Sequence, residues 1–130
     1  MRIHFEQREF TRIPFRRTAE IMTDAAGVVA EPTRDISAKG LFVEGTSVLP
    51  AGTSCRVRLS LLGVPDATTI ETEGRIVRAE PNGAAVEFTG MDLDSFHHLR
   101  NLVLYNAPDP AQVESEFENH LGLRRATAGH

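Results

Sequence analysis

Two runs between residues 56 and 79 change polarity at nearly every step. Val57, Leu59 and Leu61 alternate with Arg56, Arg58 and Ser60. A period of two leaves one face for a core and one for water, which is the mark of a half-buried strand. Thr69 to Ala79 repeats the pattern, with Ile70, Thr72, Gly74 and Ile76 set against Glu71, Glu73 and Arg75. Pro81-Asn82-Gly83 then reads as a tight hairpin turn. Ala84, Val86 and Phe88 supply the inner face of the returning strand.

The first half of the chain follows the same pattern. Phe15 to Met22 reads as a first strand, Asp24 to Gly27 as a turn and Val28 to Pro32 as a second extended run. Asp35 to Gly40 is polar and ends in glycine, so it reads as a tight turn before the apolar Leu41-Phe42-Val43. Pro50-Ala51-Gly52 and Gly63 to Asp66 are further breaks. Six or so short strands with regularly spaced turns predict a mainly β domain, a barrel or a sandwich.

The end of the chain is helical. Asp92 is suited to cap a helix, with Met91 and Phe96 placed for a hydrophobic staple and Phe96, Leu99 and Val103 forming the buried stripe. After a break at Asn106 to Asp109, Asp109 caps a second helix. Pro110 stands at its first position and Gln112 where a capping-box contact is made. Val113, Phe117 and Leu121 recur every four residues on this acidic helix, and Gly122 ends it. Such a thin stripe suits docking on the barrel as well as contact with a second subunit or an effector. The organisation expected is a flexible basic arm over 1–14, the β domain with its first helix over 15–105, the acidic helix over 106–122 and a disordered tail over 123–130.

The 130 residues suffice for one domain with its own core. The hydrophobic share of 41% and charged share of 25% are those of ordinary globular chains. No apolar run approaches the roughly 18 residues of a membrane span, and the charged start MRIHFEQREF lacks the apolar core of a signal peptide. A cytoplasmic protein with no membrane insertion is expected. The net charge of -4 argues against nucleic-acid binding. Its distribution is uneven: residues 1–17 hold five arginines against two glutamates, and residues 106–121 hold four carboxylates with no Lys or Arg.

No pattern of catalytic or metal-binding type stands out. The single Cys55 lies between strand residues and reads as a small core side chain. His97 and His98 are adjacent on a helix and lack the i, i+4 spacing of a metal pair. Glu71 and Glu73 share an exposed strand face. Two short motifs remain. Arg8 and Arg12, four apart, can reach one polyanion together. Asp35, Ser37 and Gly40 offer a carboxylate, a hydroxyl and room for close approach. An arginine fork matches the O6 and N7 acceptors of guanine, and its plane can stack on a purine. The set suits a ligand with both phosphates and bases.

With these motifs in this order, the chain resembles the PilZ domain family, bacterial receptor modules for the second messenger cyclic di-GMP. The resemblance rests on R-x-x-x-R at Arg8 and Arg12, and on D-x-S-x-x-G at Asp35, Ser37 and Gly40 some twenty residues later. Gly40-Leu41-Phe42-Val43, G-R-I-V-R from Gly74 to Arg78 and G-x-x-V-x-F from Gly83 to Phe88 extend it over about residues 6–105. It implies a six-stranded antiparallel β-barrel with C-terminal helices, and binding instead of catalysis, with no metal or other cofactor. It implies that Arg8 and Arg12 close over cyclic di-GMP, while Asp35 and Ser37 contact a guanine edge and nearby backbone. Arg34 and Arg78 are further candidates. Gln7 stands where many relatives carry another arginine, which removes a cation and leaves one or two ligands per chain open. The function implied is a nucleotide-binding adaptor in motility, biofilm or exopolysaccharide control. Its signal would pass to an effector protein or through self-association by the C-terminal helix. The alternative is a domain of the same fold that binds no nucleotide and acts through protein contacts.

Overall fold

The computed structural model describes residues 10–24, 27–45, 49–60 and 69–119. Among them the elements are β1 (Ile13–Pro14), β2 (Thr18–Thr23), β3 (Gly27–Ile36), β4 (Gly40–Glu44), β5 (Ser54–Ser60), β6 (Thr69–Glu80), β7 (Gly83–Met91), α1 (Leu93–Asn106) and α2 (Pro110–Asn119). Every strand pairing is antiparallel. The order β3-β2-β5-β6-β7-β4 closes because β4 also pairs with β3. Six strands therefore make a barrel, which leaves no sheet edge among them, and β1 adds a seventh strand along β3.

The alternation in β5 and β6 becomes an inside and an outside. Cys55, Val57, Leu59, Ile70 and Ile76 join the core, whereas Arg56, Arg58, Glu71 and Glu73 face water. Arg56 lies across from Glu73 and Arg58 from Glu71, so opposite charges meet on the outer face. The core continues through Ile13, Ile21, Ile36, Leu41, Val86 and Phe88 into Phe96, Leu99 and Val103 of α1.

Both helices start as their capping residues require. The Asp92 carboxylate accepts from the Ser95 N–H at 2.7 Å, and Met91 and Phe96 are both buried. The Ser95 hydroxyl in turn accepts from the Glu71 N–H of β6 at 3.0 Å, which ties α1 to the barrel. Asp109 accepts from the Gln112 N–H at 3.2 Å. The Gln112 amide reaches forward to Glu116 at 3.3 Å instead of back to Asp109, so the capping box has one arm. Val113 and Phe117 are buried, and Phe117 meets Phe96 edge-on with ring centres 5.7 Å apart. Arg100 and Glu114 form an ion pair beside them. α2 therefore lies on α1 within the same chain.

Three boundaries differ from the sequence reading. The first full strand begins at Thr18, and the residues before it carry an irregularity. From Ile13 to Thr18 the chain advances five residues while its partner β3 advances four, from Ile36 to Pro32. Thr33, fully buried, fills this bulge. Its hydroxyl accepts from the Arg17 N–H at 2.9 Å and donates to the Phe15 carbonyl at 2.5 Å. Second, the end of the expected arm is not free of the barrel: Ile13 is buried and pairs with Ile36. Third, Asp35 belongs to β3 and not to the turn, because its backbone still pairs with Pro14 and Phe42. Leu61, Gly63 to Asp66, Leu121, Gly122 and the tail over 123–130 lie outside the described residues.

The Thr33 hydroxyl has a measurable role. Thr33→Val keeps the shape and removes the hydroxyl's contacts with the Arg17 N–H, the Phe15 carbonyl and the Arg17 carbonyl, leaving the first two short of a partner. Denaturant unfolding should show a loss of about 1–3 kcal/mol, with the slope against denaturant unchanged.

Candidate functional site

Strand register gathers the sequence-predicted residues on the outside of the barrel. Pro14 pairs with Asp35, Asp35 with Phe42, Phe42 with Ala85 and Ala85 with Arg78, so one row crosses five strands. Residues directly opposite one another share a face. Leu41, Val43, Ala84 and Val86 beside this row are in the core. Phe42 and Ala85, one step out of phase with them, therefore lie on the outer side of the sheet, where both are nevertheless buried.

Two bulges bring arginines to this face. Between Thr33 and Asp35 the strand β3 carries one residue more than β4, and the extra residue is Arg34. Between Ile76 and Arg78 the strand β6 carries one residue more than β7. Without that insertion Arg78 would follow Ile76 into the core. With it, Arg78 stands opposite Ala85 and is exposed. Bulges re-aim side chains in this way.

The second motif is a turn held by its serine. Ser37 is fully buried. Its hydroxyl accepts from the Lys39 N–H at 3.1 Å and the Gly40 N–H at 3.3 Å, and its own N–H donates to the Gly40 carbonyl at 2.8 Å. Gly40 is needed for space and not for an unusual backbone angle. A Cβ there would collide with the Val86 carbonyl of β7.

The side chains around the turn are charged and aromatic. Arg12 donates to Asp35 at 2.6 Å, and the Arg34 Nε lies 3.0 Å from the other Asp35 oxygen. The Arg34 guanidinium rests 3.9 Å above the Phe42 ring, a cation–π contact. Lys39 Nζ is 3.6 Å from Glu87 and 5.8 Å from the centre of the Phe10 ring. Arg78 pairs with Glu80 at 2.5 Å. Phe10, Arg12, Arg34, Ser37, Lys39, Phe42, Arg78 and Ala85 together line a cavity of about 380 Å³. Small Ala85 leaves the floor open; the Phe42 ring is buried beneath Arg34, so the outer side of the Arg34 guanidinium is the flat surface turned to a base.

Of the residues read from sequence, Arg12, Arg34, Ser37 and Arg78 line this cavity; Asp35 borders it through its pairs with Arg12 and Arg34, and Gly40 through its bonds with Ser37, while Arg8 and Gln7 lie outside the described residues. Phe10, Lys39, Phe42 and Ala85 were not singled out. The signal for Phe42 is its phase, since a large ring alternates there with two core residues. A wider hollow of about 580 Å³ beside α1, with Pro14, Arg17, His98 and Tyr105 in its wall, holds none of the motif residues.

The other reactive-looking residues stay outside this site. Burial pushes the Cys55 thiol up to about 11, so it carries no thiolate near neutral pH. His97 is exposed on α1, and Glu71 and Glu73 face water. Among the described residues no group of three or more His, Cys, Asp or Glu is placed to hold a metal ion. Among them, too, no helix is long and apolar enough to cross a membrane.

Residues 6–105 match the PilZ domain, and the chain belongs to that family. No curated protein matches it. Among solved structures it is similar to the PilZ domain of CeSA from a cellulose-synthesizing bacterium, with 23% identity and a TM-score of 0.56 over 72% of this chain and 95% of that one. It is also similar to the Bacillus subtilis inhibitor of motility MotI/DgrA, with 20% identity and a TM-score of 0.57 over 72% of this chain and 47% of that one. This chain thus spans about half the length of the motility inhibitor. At these identities the likeness establishes the fold: a six-stranded PilZ barrel with one extra strand and two C-terminal helices.

The two motif residues should separate in a stability measurement. Ser37→Ala leaves two N–H groups of a buried turn without their side-chain acceptor, so unfolding should become easier by about 1–3 kcal/mol. Asp35→Asn breaks pairs whose arginine ends are nearly half exposed, and should change stability by no more than about 1 kcal/mol.

Proposed function

We propose that this protein is a cyclic di-GMP receptor that binds the nucleotide on the outer face of its barrel and relays the signal to a partner protein. One observation carries the reading. The two motifs, 23 residues apart in sequence, meet at a 2.6 Å contact between Arg12 and Asp35, beside a cavity lined by Arg12, Arg34, Ser37 and Arg78. The groups around it match the chemistry of the ligand. Arg12, Arg34, Arg78 and Lys39 can face two phosphates. Asp35 can accept from the N1–H and N2–H groups of a guanine, and an arginine fork fits its O6 and N7 edge. Phe42 under Arg34 makes a platform on which a purine can stack in turn.

In the free protein these charges neutralise one another. Arg12 and Arg34 share Asp35, Lys39 faces Glu87 and Arg78 holds Glu80. The pairs are partly exposed, and exposed ion pairs contribute only about 0–1 kcal/mol each. A ligand with two fixed phosphates displaces them at little cost. Arg8 then closes from the N-terminal segment, and its ordering changes the surface offered to an effector.

The test is isothermal titration with cyclic di-GMP, with GTP as the control. Saturable binding at micromolar or tighter affinity, at one or two ligands per chain, is the expected result. Arg8→Ala and Arg12→Ala should each weaken it at least about thirtyfold with the melting temperature preserved. Affinity unchanged in both variants sinks the assignment. No heat from the unaltered chain moves the protein to the class of PilZ domains that act through protein contacts alone.

A further inference from the structure

α2 is an acidic helix, yet one of its carboxylates is buried. Glu116 is only 6% exposed and lies between Val113 and Phe117 on the packed side. A buried carboxylate is costly unless hydrogen-bonded. Its partners come from the far end of the chain. The Thr11 N–H donates to Oε1 at 2.9 Å and the Thr11 hydroxyl to Oε2 at 2.7 Å. The Gln112 amide donates to Oε2 at 3.3 Å.

Thr11 stands between two residues of the candidate site. Phe10 before it and Arg12 after it both line the cavity, while Thr11 itself turns away toward α2. One carboxylate thus grips Thr11 by its backbone and its side chain. We infer that Glu116 is a positioning residue for nucleotide binding, holding Phe10 and Arg12 at the cavity through Thr11. The inference rests on the receptor reading above. It also assigns α2 a part in binding, although α2 supplies no side chain to the cavity wall. The physical gain is preorganisation: a segment already held in place loses less freedom when the ligand arrives.

The test uses the full chain with cyclic di-GMP as the probe, measuring Kd by titration and melting temperature in parallel. Glu116→Gln keeps the size of the side chain and replaces one acceptor oxygen by a donor. Thr11→Val removes the hydroxyl at a position outside the cavity wall. Each should raise Kd about tenfold. The double variant should be no worse than the weaker single one, because both break the same link. Thr11→Ser, which retains the hydroxyl, should bind within about twofold of the unaltered chain. A helix that matters only for stability would lower the melting temperature and leave Kd unchanged, and that result overturns the inference. If Glu116→Gln fails to fold, Thr11→Val and Thr11→Ser decide the question by themselves. No saturable binding by the unaltered chain overturns the receptor reading instead. Glu116 is then judged on the free protein by amide exchange over Phe10 to Ile13. A rise of at least about tenfold in Glu116→Gln keeps its hold on the segment, and unchanged exchange removes it.

Discussion

Side chains along a strand change sides at every residue, so Arg78, two steps after Ile76, would belong inside the barrel. A charged side chain there would cost far more than the fold can spare. One additional residue in β6 reverses the phase and turns Arg78 outward opposite Ala85. The same device in β3 leaves Arg34 as the extra residue and lets Asp35 face Phe42 across the strand pair. The site depends on these two bulges, for without them the row from Asp35 to Arg78 would not line up on one face. The bulge where the N-terminal segment joins is of the same kind. It is stabilised by the buried hydroxyl of Thr33, one residue before Arg34. Thus β3 is irregular on both edges at one place, and that place is the edge of the cavity.

This explains which parts of the molecule were legible in the sequence. β5, and β6 as far as Ile76, alternate regularly between charged and apolar residues, so their inner faces followed from period two alone. The hairpin at Pro81 to Gly83 and the cap at Asp92 are local signals, and both match the structure. The bulges are not local. Nothing in Gly74 to Arg78 says that the alternation breaks after Ile76, since the break is set by pairing with β7. Arg78 entered the reading only through the resemblance to PilZ domains. The place of Asp35 on a strand was hidden for a similar reason. Its turn-forming residue type outweighed the pairing with Phe42 that tertiary structure supplies. Glu116 was hidden most deeply, because its partner Thr11 is 105 residues away. A glutamate on an acidic helix gives no sign that it is buried.

The supports and the surface of the cavity obey different energetics. Thr33, Ser37 and Glu116 are buried, polar and satisfied by backbone or hydroxyl groups. Loss of such a partner leaves a buried group unpaired, which is where hydrogen bonds matter most. Arg12, Arg34 and Arg78 keep 48%, 41% and 58% of their side-chain surface in water. Their pairing with Asp35 and Glu80 is weak by comparison.

A receptor of the kind proposed would benefit from that division. If the arginines were fixed in buried pairs, an arriving polyanion would have to break strong contacts before making new ones, and much of its binding energy would be consumed. If the backbone beneath them were loose, the ligand would have to order it on arrival. Here the backbone beneath Arg12 is tied to Glu116 through Thr11, while the guanidinium itself stays half exposed on a carboxylate it can leave. The rigid part and the exchangeable part are adjacent in sequence but supported from opposite sides, one by helix α2 and the other by the barrel wall. Geometry can thus be retained while charge partners are exchanged, which is the physical requirement for reversible recognition of a small anionic ligand.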